Sequence, residues 1–343
     1  MATPKIRTME EFAAVSGISR PTVSKYFHDP SSVRASTRDR IEAALEKYDY
    51  SPNIYAMNQN RRLTRNIGIV VPFLADPVFA EIARNLETNC LAAGFSPILY
   101  SSHGAAELEN DILDSLRSQR PAGVFLAPLG CKSDRAQVEK FCDRVPTVLF
   151  DSELEGIGEA FVGSNNFQSI GLIVEYLCRT GEPPALFEKR NPANPNSRKR
   201  RLAYTAAMEA LGHEPQVIQA DGDGWDFEGA GYSEGMRVIT ERALQTDTVL
   251  CSNDRLAIGF LAAAHEKGLR VGRGYGYALR VAGHDDHPFS RYTSPSLTTV
   301  AQDYASIAEK SVETLFRRLE SGSRSEDREV TLYDGKLVMR RSA

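Results

Sequence analysis

The feature that most constrains this chain is an alternation that begins at Asn66 and runs almost to the C-terminus. Short apolar runs, "NIGIVV" (66–71), "FSPILY" (95–100), "GVFLA" (123–127) and "PTVLF" (146–150), are separated by helical stretches that include 78–93 and 106–119. Continuous apolar runs of this length predict strands buried on both faces. Strands alternating with helices predict a parallel sheet covered on both sides. The pattern resumes with "ALFE" (185–188), "QVIQA" (216–220), "TVLCS" (248–252) and "RVAGH" (280–284), with helices near 198–211, 229–243 and 254–268. Two half-chains built alike predict two doubly wound lobes with a cleft between them. Ligands of such sheets bind outside the carboxyl ends of the strands.

The first 65 residues follow another plan. They hold 11 Lys and Arg against 7 Asp and Glu, while the remainder holds 30 against 38. A small basic head on a larger acidic body is an arrangement found in nucleic-acid binding. Met9, Phe12 and Ala13 fall at helical spacing behind Glu10 and Glu11, which suit the positive end of a helix. Gly17 provides a turn. Ser19 can then cap a second helix that carries Arg20 and Pro21 in its first turn. After the loop Asp29-Pro30-Ser31-Ser32, Ile41, Ala44, Leu45 and Tyr48 form one apolar stripe of a third helix that starts near Thr37. This is the helix-turn-helix arrangement. Val23 and Phe27 hold the second helix to the bundle. Arg20, Pro21 and Lys25 are then expected to face a DNA major groove, where Arg and Lys pair best with guanine acceptors. Thr22 and Ser24 suit phosphate contacts that fix register.

Other classes find little support. No run of eighteen apolar residues occurs, and the N-terminal segment has no uninterrupted apolar core of a secretory signal, so a cytoplasmic location is expected. Five scattered cysteines (Cys90, Cys131, Cys142, Cys178, Cys251) form no CxxC pair, which argues against a disulfide framework or a zinc site. "HDDH" (284–287) invites a metal, but four consecutive residues cannot all converge on one ion. "GRGYGYALR" (272–280) lacks the G-x-G-x-x-G spacing and precedes a strand, so no dinucleotide site is expected. No nucleotide-loop, zinc-protease or nucleophile-elbow motif appears, and neither an enzymatic activity nor a cofactor is expected.

The pieces "MEEFAAVSGISRPTVSKYF", "VRASTRDRIEAALEKYDYSPN" and "NIGIVVP" resemble the DNA-binding head and hinge of the lactose-repressor/galactose-repressor family. In that family the segment after Y-x-P-N folds to a short hinge helix on the operator and enters the minor groove. Asn53 to Asn60 match it, which implies DNA contacts for Asn53, Ala56, Met57 and Gln59. The family usually carries a leucine that wedges between base pairs where this chain has Gln59. An amide does not bury itself among unstacked bases as an alkyl group does, but it can hydrogen-bond to minor-groove acceptors.

The body resembles the same family and, through it, the periplasmic sugar-binding proteins, so the resemblance covers nearly the whole chain. It implies effector contacts for Asp76 and Phe79 in "DPVF", Asp151 after the fourth strand, and Arg198 and Arg200 in "NSRKRRLAY". It further implies Asn253 in "CSNDRLA", Asp285 after "VAGH" and Tyr304 in "AQDY". Trp225 or Phe227 supplies a stacking ring. Planar carboxylate, amide and guanidinium groups bind vicinal hydroxyls in pairs, and aromatic rings cover the apolar face of a sugar. Asn253 and Asp254 also stand where a helix cap is needed.

The expected protein therefore has a small all-α helix-turn-helix head (1–52), a hinge (53–65) and an α/β two-lobed periplasmic-binding-protein-like body (66–343) of parallel doubly wound sheets. Lobe 1 is expected over about 66–165 plus 285–305, and lobe 2 over about 166–284 plus 306–343. The closing stretch "VTLYDGKLVMRRSA" reads as paired strands of the second lobe. The expected function is repression from a palindromic operator by a homodimer, controlled by a small sugar-like effector. The rival readings are a sugar receptor without a DNA role and a purine-responsive regulator that needs a co-repressor.

Overall fold

A computed structural model of the protein describes residues 6, 8–48, 50, 64–192, 195–222, 224–322 and 328–343. Two compact units result, Met1–Thr64 and Arg65–Ala343.

The first unit holds three helices, α1 (Met9–Ser16), α2 (Arg20–His28) and α3 (Ala35–Tyr48). Thr8 and Glu11 close α1 with a reciprocal capping box. Gly17 ends it at φ 63°, a left-handed conformation that glycine takes without strain and that turns the chain toward α2. Phe12, Ile18, Val23 and Ile41 are buried between the helices, and Tyr50 stacks on Phe12 with ring centroids 4.7 Å apart. Ser19 stands at the N-cap of α2 as expected, but its hydroxyl meets the Thr22 hydroxyl at 2.8 Å and caps no amide.

The second unit contains two parallel sheets. The first has the order β11-β5-β4-β3-β1-β2, with β1 (Asn66–Val71), β2 (Ser96–Ser101), β3 (Gly123–Leu126), β4 (Thr147–Phe150), β5 (Ala160–Ser164) and β11 (Glu329–Tyr333). Its helices are α4 (Pro77–Ala92), α5 (Ala106–Gln119), α6 (Arg135–Cys142) and α11 (Tyr304–Ser321). The second sheet has the order β7-β6-β8-β9, with β6 (Ala185–Lys189), β7 (Val217–Ala220), β8 (Thr248–Cys251) and β9 (Arg280–Ala282). It is flanked by α7 (Asn166–Thr180), α8 (Ser197–Ala210), α9 (Phe227–Thr240) and α10 (Asp254–Glu266). A two-stranded antiparallel ribbon pairs β10 (Thr299–Ala301) with β12 (Lys336–Val338). The central apolar runs are strands buried on both faces, as in Gly123–Leu126 and Thr147–Phe150, whereas β2 and β7 lie at sheet edges and are only partly buried.

The lobe boundaries differ from the sequence expectation. Residues 285–301 stay with lobe 2, because Ala282 and Asp285 bridge to Thr298 and Ala301 beside β9. Helix α11 instead packs against α4, β3, β4 and β5 of lobe 1. The closing strands do not pair with each other. β11 adds to the lobe 1 sheet parallel to β5, and β12 returns to lobe 2, where Ser342 and Ala343 bond to Val281 and Thr298. The chain thus crosses between lobes three times, after β5, after β10 and after β11. Two of the crossing segments are tied by a Ser164–Gln302 side-chain hydrogen bond. Strand β5 and helices α6 and α7 complete the pattern without having been foreseen.

Candidate functional site

On α2 the exposed residues Arg20, Pro21, Ser24 and Lys25 recur at i, i+1, i+4 and i+5. They form one stripe turned away from buried Val23. Thr22 lies on its flank, half-buried and bonded to Ser19. Arg20 Nε lies 2.5 Å from Glu10, but both side chains are 61% exposed, and such a pair yields readily to a competing phosphate or base. Asn53, Ala56, Met57 and Gln59 fall outside the described residues.

In the body, the strand ends bring most of the expected residues to the seam between the lobes. Arg200, in the first turn of α8, is 3% exposed and donates in three directions. Nε bonds Asn166 Oδ1 at 3.1 Å, Nη1 the Ser252 carbonyl at 2.7 Å, and Nη2 Asp285 Oδ1 at 2.8 Å. Gln302 Nε2 also donates to Asp285 Oδ1, at 2.5 Å. His284 Nδ1 lies 2.9 Å from the same oxygen, while its Nε2 lies 2.9 Å from Ser169 Oγ. Burial and the Arg200 charge push the His284 pKa down, which favours the neutral ring. Burial works against the Asp285 carboxylate, but the Arg200 charge and the hydrogen bonds outweigh it and hold the pKa below the ordinary value. Asp285 sits at φ 119°, a strained turn held by its backbone bond to Val300 and the Tyr304 hydroxyl bond to its carbonyl, 2.9 Å each.

Beyond the Tyr304–Asp285 bond, two further polar contacts join the lobes. Asp76 caps α4 through Val78 N at 3.0 Å and accepts from Arg255 Nη1 of α10 at 3.1 Å. Arg255 also grips Glu228 of α9 through Nε and Nη2 at 2.7 and 2.6 Å. Glycines allow this grip. A Cβ on Gly259 would lie 2.1 Å from the Glu228 carbonyl, and one on Gly231 2.3 Å from the Leu256 carbonyl, so α9 and α10 pack backbone to backbone. The second contact is Asn196 Nδ2 to the backbone oxygen and Oδ1 of Asp151, both at 3.1 Å. Asp151 Oδ2 is buried and has no partner among the described residues. Burial pushes the Asp151 carboxyl up to about 7, against the pull of Arg200 and with the push of Asp285 and Asp76.

Trp225 makes the apolar contact across the seam. It stacks on Phe73 of lobe 1 at 5.3 Å and 11°, and meets Phe79 edge-on at 5.8 Å. Its Nε1 is buried without a partner among the described residues. Phe227 is buried behind it at 6.0 Å. Through these rings one apolar cluster runs from lobe 1 into lobe 2.

The remaining expectations divide. Asn253 caps α10 through Leu256 N at 2.8 Å. Asp254 accepts from His287 N, Ser290 Oγ and Thr299 Oγ1 at 2.8, 2.6 and 2.6 Å, and burial holds its carboxyl up to about 7. Arg198 is exposed, because two residues along a helix place it on the side opposite Arg200. It does not join the cluster. "HDDH" disperses: Asp286 pairs with Arg340, the His287 amide bonds Asp254, and no metal-binding cluster occurs among the described residues. Asn166, Asn196, Glu228, Arg255, His284 and Gln302 were not foreseen. Only the strand-end position of His284, next to Asp285, carried a signal.

A three-helix head with an exposed basic stripe, together with a two-lobed body that gathers buried polar groups at its seam, defines a ligand-sensing regulator of transcription. Residues 8–53 match the model of bacterial regulatory proteins of the lacI family, and residues 163–343 match the periplasmic binding protein-like domain. The ribose operon repressor of Escherichia coli strain K12 is 26% identical over 314 residues, covering 91% of this chain and 93% of that protein. The transcriptional repressor PurR of Pasteurella multocida strain Pm70 is 27% identical over 340 residues, 98% of each chain. The structure of the Lac repressor dimer bound to operator and the anti-inducer ONPF superposes with a TM-score of 0.83 at 25% identity, covering 98% of this chain and 99% of that one. The chain belongs to the LacI family of regulatory proteins. It is a DNA-binding regulator, and these relatives are repressors rather than enzymes. Among the described residues no helix is long and apolar enough to cross a membrane.

Proposed function

We propose that this protein is a cytoplasmic homodimeric repressor that reads a palindromic operator through Arg20, Pro21, Thr22, Ser24 and Lys25 and is switched by a small hydroxylated ligand held between its lobes. Residues 1–52 form the reading head and 53–65 the hinge, whose Asn53, Ala56, Met57 and Gln59 add minor-groove contacts. Asp76, Phe79, Asp151, Arg200, Trp225, Asn253, Asp285 and Tyr304 form the ligand site. The observation that carries this reading is the seam itself. Arg200 and Asp285 lie on lobe 2, Asp151 and Asp76 on lobe 1, and the lobes meet through the Asn196–Asp151 and Arg255–Asp76 contacts beside the Trp225 and Phe73 rings. A ligand bridging those groups changes the balance between lobe arrangements, and each dimer half feels the change at its head. The stacked Phe73 and Trp225 rings favour a second reading, a planar base held between them.

Selection of bound duplexes from a random DNA pool, at fixed salt, tests the reading. An enriched inverted repeat is expected, because two heads related by a two-fold axis read two half-sites. Enrichment of no sequence by the free protein, or in the presence of neutral sugars or a purine base, would overturn it.

A further inference from the structure

The network on Asp285 reaches the segments on which the lobes turn. Arg200, His284 and Gln302 all meet Asp285 on Oδ1. None of these contacts uses Oδ2, which a ligand can take without breaking them. Gln302 lies in the second crossing, directly after β10, and uses both ends of its amide. The carboxylate only accepts, so Nε2 faces it, at 2.5 Å, and Oε1 takes the hydroxyl proton of Ser164 at the end of β5, where the first crossing begins. The first crossing is laced in turn to the third. Asn165 Nδ2 donates to Asp334 at 2.9 Å, and Gln168 exchanges bonds of 3.2 and 2.8 Å with the backbone of Gly335. We propose that Gln302 is the positioning residue that couples Asp285 in the seam to the three crossings, so that a change at Asp285 alters the angle at which the lobes are held. This rests on the reading of the seam as the ligand site. Such crossings are the hinges of a two-lobed body, and small shifts there become rotations of whole lobes. A moved Asp285 drags or releases the amide, whose other end is fixed to β5. Glutamate at 302 sets like charge against Asp285, and leucine makes neither bond.

Trp225, the one tryptophan of the chain, stacks on Phe73 across the seam, so its fluorescence reports the lobe arrangement. The test is acrylamide quenching of Trp225 in full-length wild type, Gln302→Leu, Gln302→Glu and Thr246→Val, alone and with a duplex enriched by selection. Thr246→Val removes a half-buried hydroxyl bond to the Pro183 carbonyl, at the amino end of the lobe 2 strands, and serves as the control. Gln302→Leu is expected to raise the quenching constant by about 2-fold or more with unchanged circular dichroism, and the control to match wild type. Gln302→Glu is expected to behave like Gln302→Leu at about pH 8.5 and like wild type at about pH 5.5, where a glutamate raised by Asp285 carries a proton and donates as the amide does. Arg200, His284, Asp285 and Tyr304 surround this position, so wild type at each pH is the reference. The duplex is expected to change quenching in wild type and not in Gln302→Leu that still binds it. Wild-type quenching in Gln302→Leu, a duplex response retained in it, or no acid recovery of Gln302→Glu overturns the inference and leaves the seam reading intact. If Gln302→Leu does not fold, the pH response of Gln302→Glu decides alone. A wild type whose quenching the duplex leaves unchanged overturns the reading and the inference with it.

Discussion

Arg200 and Asp285 meet at 2.8 Å with both side chains buried, although 85 residues separate them in the chain. Because Arg200 also holds Asn166 and the Ser252 carbonyl, it fastens the starts of α7 and α8 and the ends of β8 and β9 into one block. Removing it leaves Asp285 charged and buried. Arg200→Ala is expected to cost about 3–5 kcal/mol of body stability in urea unfolding. Arg200→Lys recovers little, since an ammonium group cannot reproduce the planar fork. A loss below about 1 kcal/mol would show that the network does not hold in solution.

Asp76 and Arg255 tie the lobes together at 3.1 Å. Asp76→Asn keeps the cap on α4 and removes only the charge. In a double-mutant cycle with Arg255→Ala, a coupling of about 1–2 kcal/mol is expected. Additivity within about 0.5 kcal/mol would mean the bridge contributes nothing.

Two helical glycines should respond in opposite ways. Gly259→Ala forces a Cβ against the Glu228 carbonyl and is expected to cost about 3 kcal/mol. Gly171→Ala, on α7 with open space around it, is expected to be neutral or to stabilise by about 1 kcal/mol through helix propensity. Thermal unfolding of the two variants checks both signs.

Asp151 and Asp254 are held up to about 7 by burial, from an ordinary value of 3.8. Between about pH 4 and pH 7 the folded protein therefore keeps protons that the unfolded chain has released, and stability falls as pH rises through that window. Asp151→Asn removes its share of this loss. Its stability relative to wild type is expected to improve from about pH 5 to about pH 8, and a constant difference would contradict the assignment.

On the head, Lys25→Ala is expected to cost about 1–3 kcal/mol on a selected duplex and to relax preference at one base position. Equal weakening on every sequence, with a smaller salt slope, would make Lys25 a phosphate contact only.

The sequence made the parallel strands legible because a strand buried on both faces is a continuous apolar run, as in "NIGIVV". It made the seam partly legible because Asp76, Asp151 and Asp285 follow such runs and strand ends converge. β5, "AFVGS", escaped because a five-residue run with a glycine carries little signal after an irregular loop. The lobe exchange escaped for another reason. Ile307, Ala308, Val312 and Leu315 mark the buried face of α11, but an apolar face does not say which of two sheets it covers. Arg255 was invisible because an arginine in a first helical turn reads as a solvated one. Only the fold brings Asp76 and Glu228 to it.

The central claim is that ligand and DNA bind different sites coupled through the body. The direct test measures the affinity of the full-length protein for an enriched duplex with and without a saturating sugar that binds it in calorimetric titration, and the affinity for that sugar with and without the duplex. The two ratios are expected to be equal and to differ from one by about 5- to 150-fold. Ratios of one in both directions would contradict the account.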